Sequence, residues 1–257
     1  VWVVDSSRSM LDEQARIAET IGQFVSDIEA RSFTDVRLVM VTGSNLVPAP
    51  LGEDTNRYRF VARDVESTQP LSALLEELPR YRDFLRPWAA ALHFVVVTDD
   101  ESALSASEFD AAIRAQLGRD YTLHAVASPD EDGAPCRSVT PSLECLNLGA
   151  MYPQLCGASA IGREYYRLAE ATGGERISIC VDDFRSVFGP LFEGVTRTAV
   201  PCRFEQPAPD GLDFVLSLAA DALAEPVRLA KVASGAECGA EPDAYYVETL
   251  QSLVATF

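Results

Sequence analysis

The stretch VWVVDSSRSML, residues 1–11, decides how the rest of the chain is read. Four apolar residues run straight into one carboxylate, Asp5, and three hydroxyls, Ser6, Ser7 and Ser9. An unbroken apolar run of this kind suits a strand covered on both faces, as parallel strands are. The LDEQARIAETIGQFVSDIEA that follows places Ile17, Ile21, Phe24, Val25 and Ile28 on one stripe, the period of an amphipathic helix. A buried strand thus passes to a helix through an oxygen-rich turn. The question is what the strand delivers there.

The same alternation continues for about 200 residues. DVRLVMVT (35–42), HFVVVTDD (93–100), YTLHAVAS (121–128) and RISICV (176–181) read as strands, with YRFVAR (58–63) a shorter one suited to an edge. LSALLEELPRYRDFLR is helical in tendency and expected to break near Pro79–Arg80–Tyr81. Ser105 and Glu108 form a capping box for a helix that closes at Gly118. IGREYYRLAEATGG is a helix with a glycine stop, and DFRSVFGPLFEGV is another, which Gly189–Pro190 is expected to interrupt. The fold class is therefore α/β: a three-layer, doubly wound, mostly parallel sheet over residues 1–200. Residues 129–159 form an insertion too long for an ordinary connection. PCRFEQPAPDG opens a different pattern, so residues 201–257 are expected to be a small β-rich extension packed on the first domain.

Composition narrows the function. The 257 residues carry 39 acidic and 21 basic side chains, net charge -18, which repels phosphate backbones and makes nucleic acid a poor partner. No apolar run approaches the roughly 20 residues that cross a bilayer. The six cysteines, Cys136, Cys145, Cys156, Cys180, Cys202 and Cys238, include no CxxC pair, and the two histidines, His93 and His124, sit in strand-like runs. That argues against a soft-metal centre and for disulfides formed in an oxidising compartment. A buried free thiol fits Cys180, inside RISICV, better than it fits Cys136.

Doubly wound sheets bind ligands beyond the carboxyl ends of their strands. The first strand ends in Asp5, Ser7 and Ser9; HFVVVTDD ends in Asp99 and Asp100; and VESTQPLSALLEE brings Thr68 just before a helix. Asp5, Ser7, Ser9, Thr68 and Asp99 all offer oxygen, the ligand type of a hard divalent cation. Helix capping would explain Asp5 and Ser7 but gives no reason for Asp99 to converge on them.

These residues resemble the von Willebrand factor A family, also called the integrin I-domain type. Its metal-ion-dependent adhesion site carries a DxSxS motif after the first strand, here Asp5, Ser7 and Ser9. A threonine in a second loop and an aspartate in a third complete it, matched by Thr68 (with Ser67 the alternative) and Asp99. The resemblance implies a divalent cation, Mg²⁺ first with Ca²⁺ or Mn²⁺ as alternatives, and a partner protein or surface ligand whose Asp or Glu completes the coordination. Arg8 departs from the family's usual glycine, so it either leans over the ion or meets an acidic partner. Asp100 replaces another frequent glycine, and with Glu101 it is expected to offset Arg8 or favour Ca²⁺. GREYYRLAEATGG, SICVDDF and the PCRFEQP-like tail are similar to cysteine-bearing bacterial members, which are exported and often lipid-anchored. That implies an extracellular or bacterial cell-surface location, with an anchor upstream of Val1.

Catalysis is not expected. No GxSxG, HExxH or glycine-rich phosphate loop occurs. His93 falls at the start of its strand, at the opposite edge from Asp99, and His124 falls in mid-strand. The reading is a binding module, not an enzyme. The alternative is a structural or assembly component of the bacterial envelope that keeps the fold without using the metal.

Overall fold

The computed structural model describes residues 1–32, 36–85, 91–131, 133–136, 158–181 and 184–198, and in the tail 203–204, 217–218, 227–228, 230–231, 244–249 and 252–256. The chain divides into two compact units, Val1–Arg31 with Asp35–Thr196, and Ser32–Thr34 with Arg197–Phe257.

In the first unit, strands β1 (Trp2–Val4), β2 (Leu38–Thr42), β3 (Tyr58–Ala62), β4 (His93–Val97) and β5 (Thr122–Ala127) belong to one sheet. A short antiparallel hairpin, β6 (Asp130–Glu131) and β7 (Ala134–Pro135), interrupts the alternation before β8 (Arg176–Ser178) completes it. The six-stranded order is β3-β2-β1-β4-β5-β8, and every pairing is parallel. YRFVAR thus takes the edge expected of it.

Helices α1 (Leu11–Ser32), α2 (Pro70–Tyr81), α3 (Ala106–Leu117), α4 (Arg163–Thr172) and α5 (Arg185–Thr198) cover both faces. Side chains alternate across a strand, so each strand feeds two cores. Trp2, Met40, Val95 and Val97 pack with Ile17, Ile21 and Phe24 of α1 and Val187 and Leu191 of α5. Val3, Val41, Phe94 and Val96 pack with Leu74 of α2, Phe109 of α3 and Tyr165 of α4 on the other side. Trp2 bridges α1 and α5, with its ring 5.8 Å from Phe24 and 5.7 Å from Phe188.

One expected helix break occurs and one does not. α2 passes through Pro79 but ends at Tyr81, inside the expected Pro79–Tyr81 stretch, and a 3-10 turn over Arg82–Phe84 follows; the buried Tyr81 hydroxyl donates to the Leu74 carbonyl at 2.8 Å. α5 runs through Pro190 without a break. A proline inside a helix costs about 3 kcal/mol. Burying Val187, Phe188 and Leu191 returns roughly 1.5–3 kcal/mol each, so packing wins.

The capping box is present: Glu108 N–H donates to Ser105 Oγ at 3.3 Å, and Ser105 N–H to Glu108 Oε2 at 3.1 Å. Gly118 and Gly173 close α3 and α4 with φ of 67° and 72°, the left-handed region glycine enters without strain. Ser105→Ala is expected to lower the melting temperature by about 2–4 °C. Scanning calorimetry checks it, and an unchanged midpoint would remove the cap from the account.

Cys136 and Cys180 form a disulfide that closes 44 residues of sequence. This corrects the free-thiol reading of Cys180: β8 ends at Ser178, so the cysteine lies beyond the strand rather than inside it. Cys145, Cys156, Cys202 and Cys238 lie outside the described residues. The insertion is described at its two ends, including the β6–β7 hairpin, and residues 137–157 lie outside.

In the second unit, past the last residues of α1 and α5, the described residues are strand: β9 (Arg203–Phe204), β10 (Ser217–Leu218), β11 (Val227–Arg228), β12 (Ala230–Lys231), β13 (Ala244–Thr249) and β14 (Ser252–Thr256). They form a four-stranded sheet of order β12-β13-β14-β9 and a β10–β11 pair. VRLAKVASG and AYYVETL therefore contain strands as read. Of the ambiguous LDFVLSLAADAL, Ser217 and Leu218 are described, as strand.

Candidate functional site

The chain winds outward from β1 in two directions, through β2 and β3 one way and through β4, β5 and β8 the other. The reversal lies between β1 and β4, where such sheets open a crevice beyond the strand ends. Asp5 follows β1 and Asp99 follows β4. Asp5 N–H donates to the Val97 carbonyl at 3.0 Å, extending the ladder one residue and setting the two loops side by side.

Four of the five expected residues stand in one hydrogen-bonded chain. Ser7 N–H donates to Asp5 Oδ1 at 2.7 Å, Ser7 Oγ lies 3.1 Å from Ser9 Oγ, and Ser9 Oγ donates to Asp99 Oδ1 at 3.2 Å. Asp5 and Asp99 are buried, at 0% and 4% exposure, and both serines are partly buried. Thr68 is the exception. It is exposed, and among the described residues its hydroxyl makes no hydrogen bond. Its loop is nevertheless fastened to the crevice. Ser6 exchanges three bonds with Val65, the Thr68 carbonyl accepts from Ala103 N–H at 2.9 Å, and the Ser67 carbonyl accepts from Thr98 Oγ1 at 3.2 Å.

Several participants were not in the expected set. Thr98 Oγ1 donates to Asp5 Oδ2 at 2.9 Å, and Gln14 donates to the Asp5 carbonyl at 3.1 Å. Ser159 Oγ donates to Asp99 Oδ2 at 3.2 Å. Glu101, expected to offset Arg8 or tune the ion, instead receives the Arg163 and Glu164 amides at 2.9 and 3.1 Å and caps α4. Arg8 itself is exposed at the rim.

The electrostatics are one-sided. Burial pushes the Asp99 carboxyl up to about 6, and the Asp5 charge adds to it against the hydroxyl donors Ser9 and Ser159. Asp5 is also raised, chiefly by burial, with Asp100 repelling and Ser7 and Thr98 opposing. Glu13, in the first turn of α1, is held at about 7 by burial and then by Asp99. Tyr165 is buried, and its proton is held far above the usual range by burial first, against a hydrogen bond with Ser102, with Glu101, Asp5 and Asp100 adding to the rise. Negative charge converges here with little to balance it.

A divalent cation fits this donor set. It offers oxygen only, two carboxylates to balance charge, and neutral hydroxyls beside them. No group of three or more His, Cys, Asp or Glu side chains that could hold a metal ion occurs among the described residues. His93 and His124 lie at the far edge, with Nδ1 of His93 2.9 Å from Nε2 of His124. No helix among the described residues is long and apolar enough to cross a membrane. No family model, curated protein or solved structure matches the chain.

Proposed function

We propose that this chain is a metal-dependent recognition module of the von Willebrand factor A type, not an enzyme. A divalent cation, Mg²⁺ first with Ca²⁺ or Mn²⁺ as alternatives, is held by Asp5, Ser7, Ser9, Asp99 and the Thr68 loop. A partner protein or surface ligand completes its coordination with an Asp or Glu side chain. The supporting observation is the chain of hydrogen bonds from Asp5 through Ser7 and Ser9 to Asp99, built from loops that are distant in sequence. Its two carboxylates are buried together with raised proton affinity, the condition that a bound cation relieves. Asp5, Ser7, Ser9 and Asp99 would hold the ion, which would supply the positive charge that a partner's carboxylate meets in a partly desolvated setting. The net charge of -18 disfavours nucleic acid and anionic lipid. The Cys136–Cys180 disulfide favours an oxidising location such as the cell surface.

One observation supports the alternative, an envelope component that leaves the metal unused. The four carboxylate oxygens already receive protein donors from Ser7, Thr98, Ser9 and Ser159, so the crevice is closed by hydrogen bonds alone. Calorimetric titration of the chain with Mg²⁺, Ca²⁺ and Mn²⁺, beside Asp5→Ala, decides between the two. Saturable uptake of one ion, absent in Asp5→Ala, supports recognition. Uptake that is missing, or indifferent to Asp5, transfers the assignment to the structural reading.

A further inference from the structure

Asp99 is held twice by a segment that is remote in sequence. Ser159 N–H and Ala160 N–H both donate to the Asp99 carbonyl, at 2.7 and 3.1 Å, while Ser159 Oγ donates to the carboxylate at 3.2 Å. Of the two carboxylate oxygens, one is aimed by Ser9 and the other by Ser159. The segment is attached in turn to a covalent bond. Ala158 N–H donates to the Cys136 carbonyl at 3.0 Å, pairing the returning end of the insertion with its outgoing end. Cys136 N–H donates to Ser128 Oγ at 2.9 Å, just beyond β5, and Cys136 Sγ is bonded to Cys180 just beyond β8. Cys136 is buried, at 2% exposure, so this anchor is part of the core rather than a surface staple. A continuous path runs from Cys180 through Cys136 and Ala158 to Ser159 and Asp99.

We infer that Ser159 is a positioning residue for Asp99 and that the Cys136–Cys180 disulfide braces the segment carrying it, so that the cation affinity of the crevice depends on a covalent bond outside it. This rests on the cation reading above. The physical reason is entropic. The insertion returns to the sheet through a few hydrogen bonds, and ordering a long loop by such bonds alone is costly. The disulfide removes much of that freedom before the hydrogen bonds form. Ser159 then meets Asp99 in one geometry, which ligand preorganisation requires.

The test uses the full chain. Mn²⁺ titrations compare the wild type with Ser159→Ala, Ser159→Thr, the Cys136→Ser/Cys180→Ser pair, and all three Ala and Ser substitutions together. Ser159→Ala is expected to weaken Mn²⁺ by about tenfold, the value of one hydrogen bond to a charged group. Ser159→Thr keeps the hydroxyl and is expected to restore affinity. The cysteine pair is expected to weaken Mn²⁺ to a similar degree, and the combined variant no further, because both changes act through one contact. Should the cysteine pair fail to fold, Ala158→Pro deletes the N–H that ties the brace to the segment and leaves the disulfide intact. Hydrogen exchange at the Ser159 and Ala160 amides gives a readout without metal, expected to quicken about tenfold when the brace is cut. Wild-type affinity in a folded brace variant, or in Ser159→Ala, overturns the inference. If the wild type takes up no cation, the functional reading falls on its own. The brace is then judged by exchange, and unchanged protection rejects it.

Discussion

Replacing Asp99 with asparagine is expected to stabilise the cation-free protein at pH 8 while removing its affinity for divalent ions by more than about 100-fold. Both effects come from the same placement. Asp99 is 4% exposed, beside Asp5, and its carboxyl titrates at about 6 rather than at the ordinary 3.8. A raised carboxyl binds its proton more tightly in the folded than in the unfolded chain. Below pH 3.8 the group is protonated in both states and carries no penalty. As pH rises through the window from 3.8 to about 6 the folded state loses ground, and above that the full penalty, about 3 kcal/mol at most, is present. Asparagine keeps the shape and can still bond to the hydroxyls of Ser9 and Ser159, but it carries no charge to desolvate. Part of the penalty returns as stability, about 1–2 kcal/mol and a rise of about 3–6 °C in melting temperature at pH 8. The same substitution deletes one of two carboxylates available to balance a dication. Saturating Mg²⁺ is expected to raise the wild-type midpoint and leave Asp99→Asn where it was. On the proposed reading, that cost is what the bound ion offsets. An Asp99→Asn protein less stable than wild type at pH 8 without metal, or one that still binds the ion, would remove Asp99 from that role.

The legible part of the molecule was the part whose physics is local. Parallel strands covered on both faces leave unbroken apolar runs, so VWVV and HFVVV declared themselves, and the abrupt change to Asp5 and to Thr98–Asp99 marked the carboxyl edge. The capping box and both glycine stops were readable for the same reason. The contacts that close the crevice were not. Ser159 reaches Asp99 across 60 residues, and nothing in GASAIG distinguishes that serine from a loop serine in water. Glu13 looks like an ordinary acidic residue in a first helical turn, and its partial burial within reach of the Asp99 charge appears only once α1 is packed. Glu101 follows Asp99 so closely that it reads as part of the crevice, yet its partners are the amides of α4, 62 and 63 residues further along the chain. Pro79 marked the end of α2 to within two residues, whereas Pro190 carried a correct local signal that tertiary burial outweighed. Thr68 marks the other limit: its loop is where the motif implies, but its hydroxyl makes none of the bonds that join Asp5, Ser7, Ser9 and Asp99.

The far edge of the sheet is expected to oppose Asp99 as pH falls, and His93→Gln is the variant that exposes it. Glu175 N–H donates to His124 Nδ1 at 3.0 Å, which puts the ring proton of His124 on Nε2, facing His93 Nδ1 at 2.9 Å. Protonating His93 at that nitrogen would set one N–H against another in a site where His124 is fully buried. Burial first, then the His124 ring, hold His93 down at about 3 instead of 6.5. A lowered histidine leaves stability fully present above pH 6.5 and loses it as pH falls through the window down to about 3, by roughly 2–4 kcal/mol once its partial exposure is discounted. The Asp99 contribution runs the other way between pH 6 and 3.8, so the two offset and the wild-type profile across that range is expected to be shallow. Glutamine preserves an acceptor for the His124 N–H and cannot take up a proton. His93→Gln is therefore expected to cost about 1 kcal/mol at pH 8 and to gain on the wild type as pH falls. Asp99→Asn is expected to fall away more steeply than the wild type. The residues sit at opposite ends of the sheet, so the double variant should show the sum of the two profiles. Urea unfolding from pH 4 to pH 8 measures all four proteins. A His93→Gln curve parallel to the wild type would mean that His93 takes up its proton as readily in the folded chain as in the unfolded one, and that the shallow profile has another source.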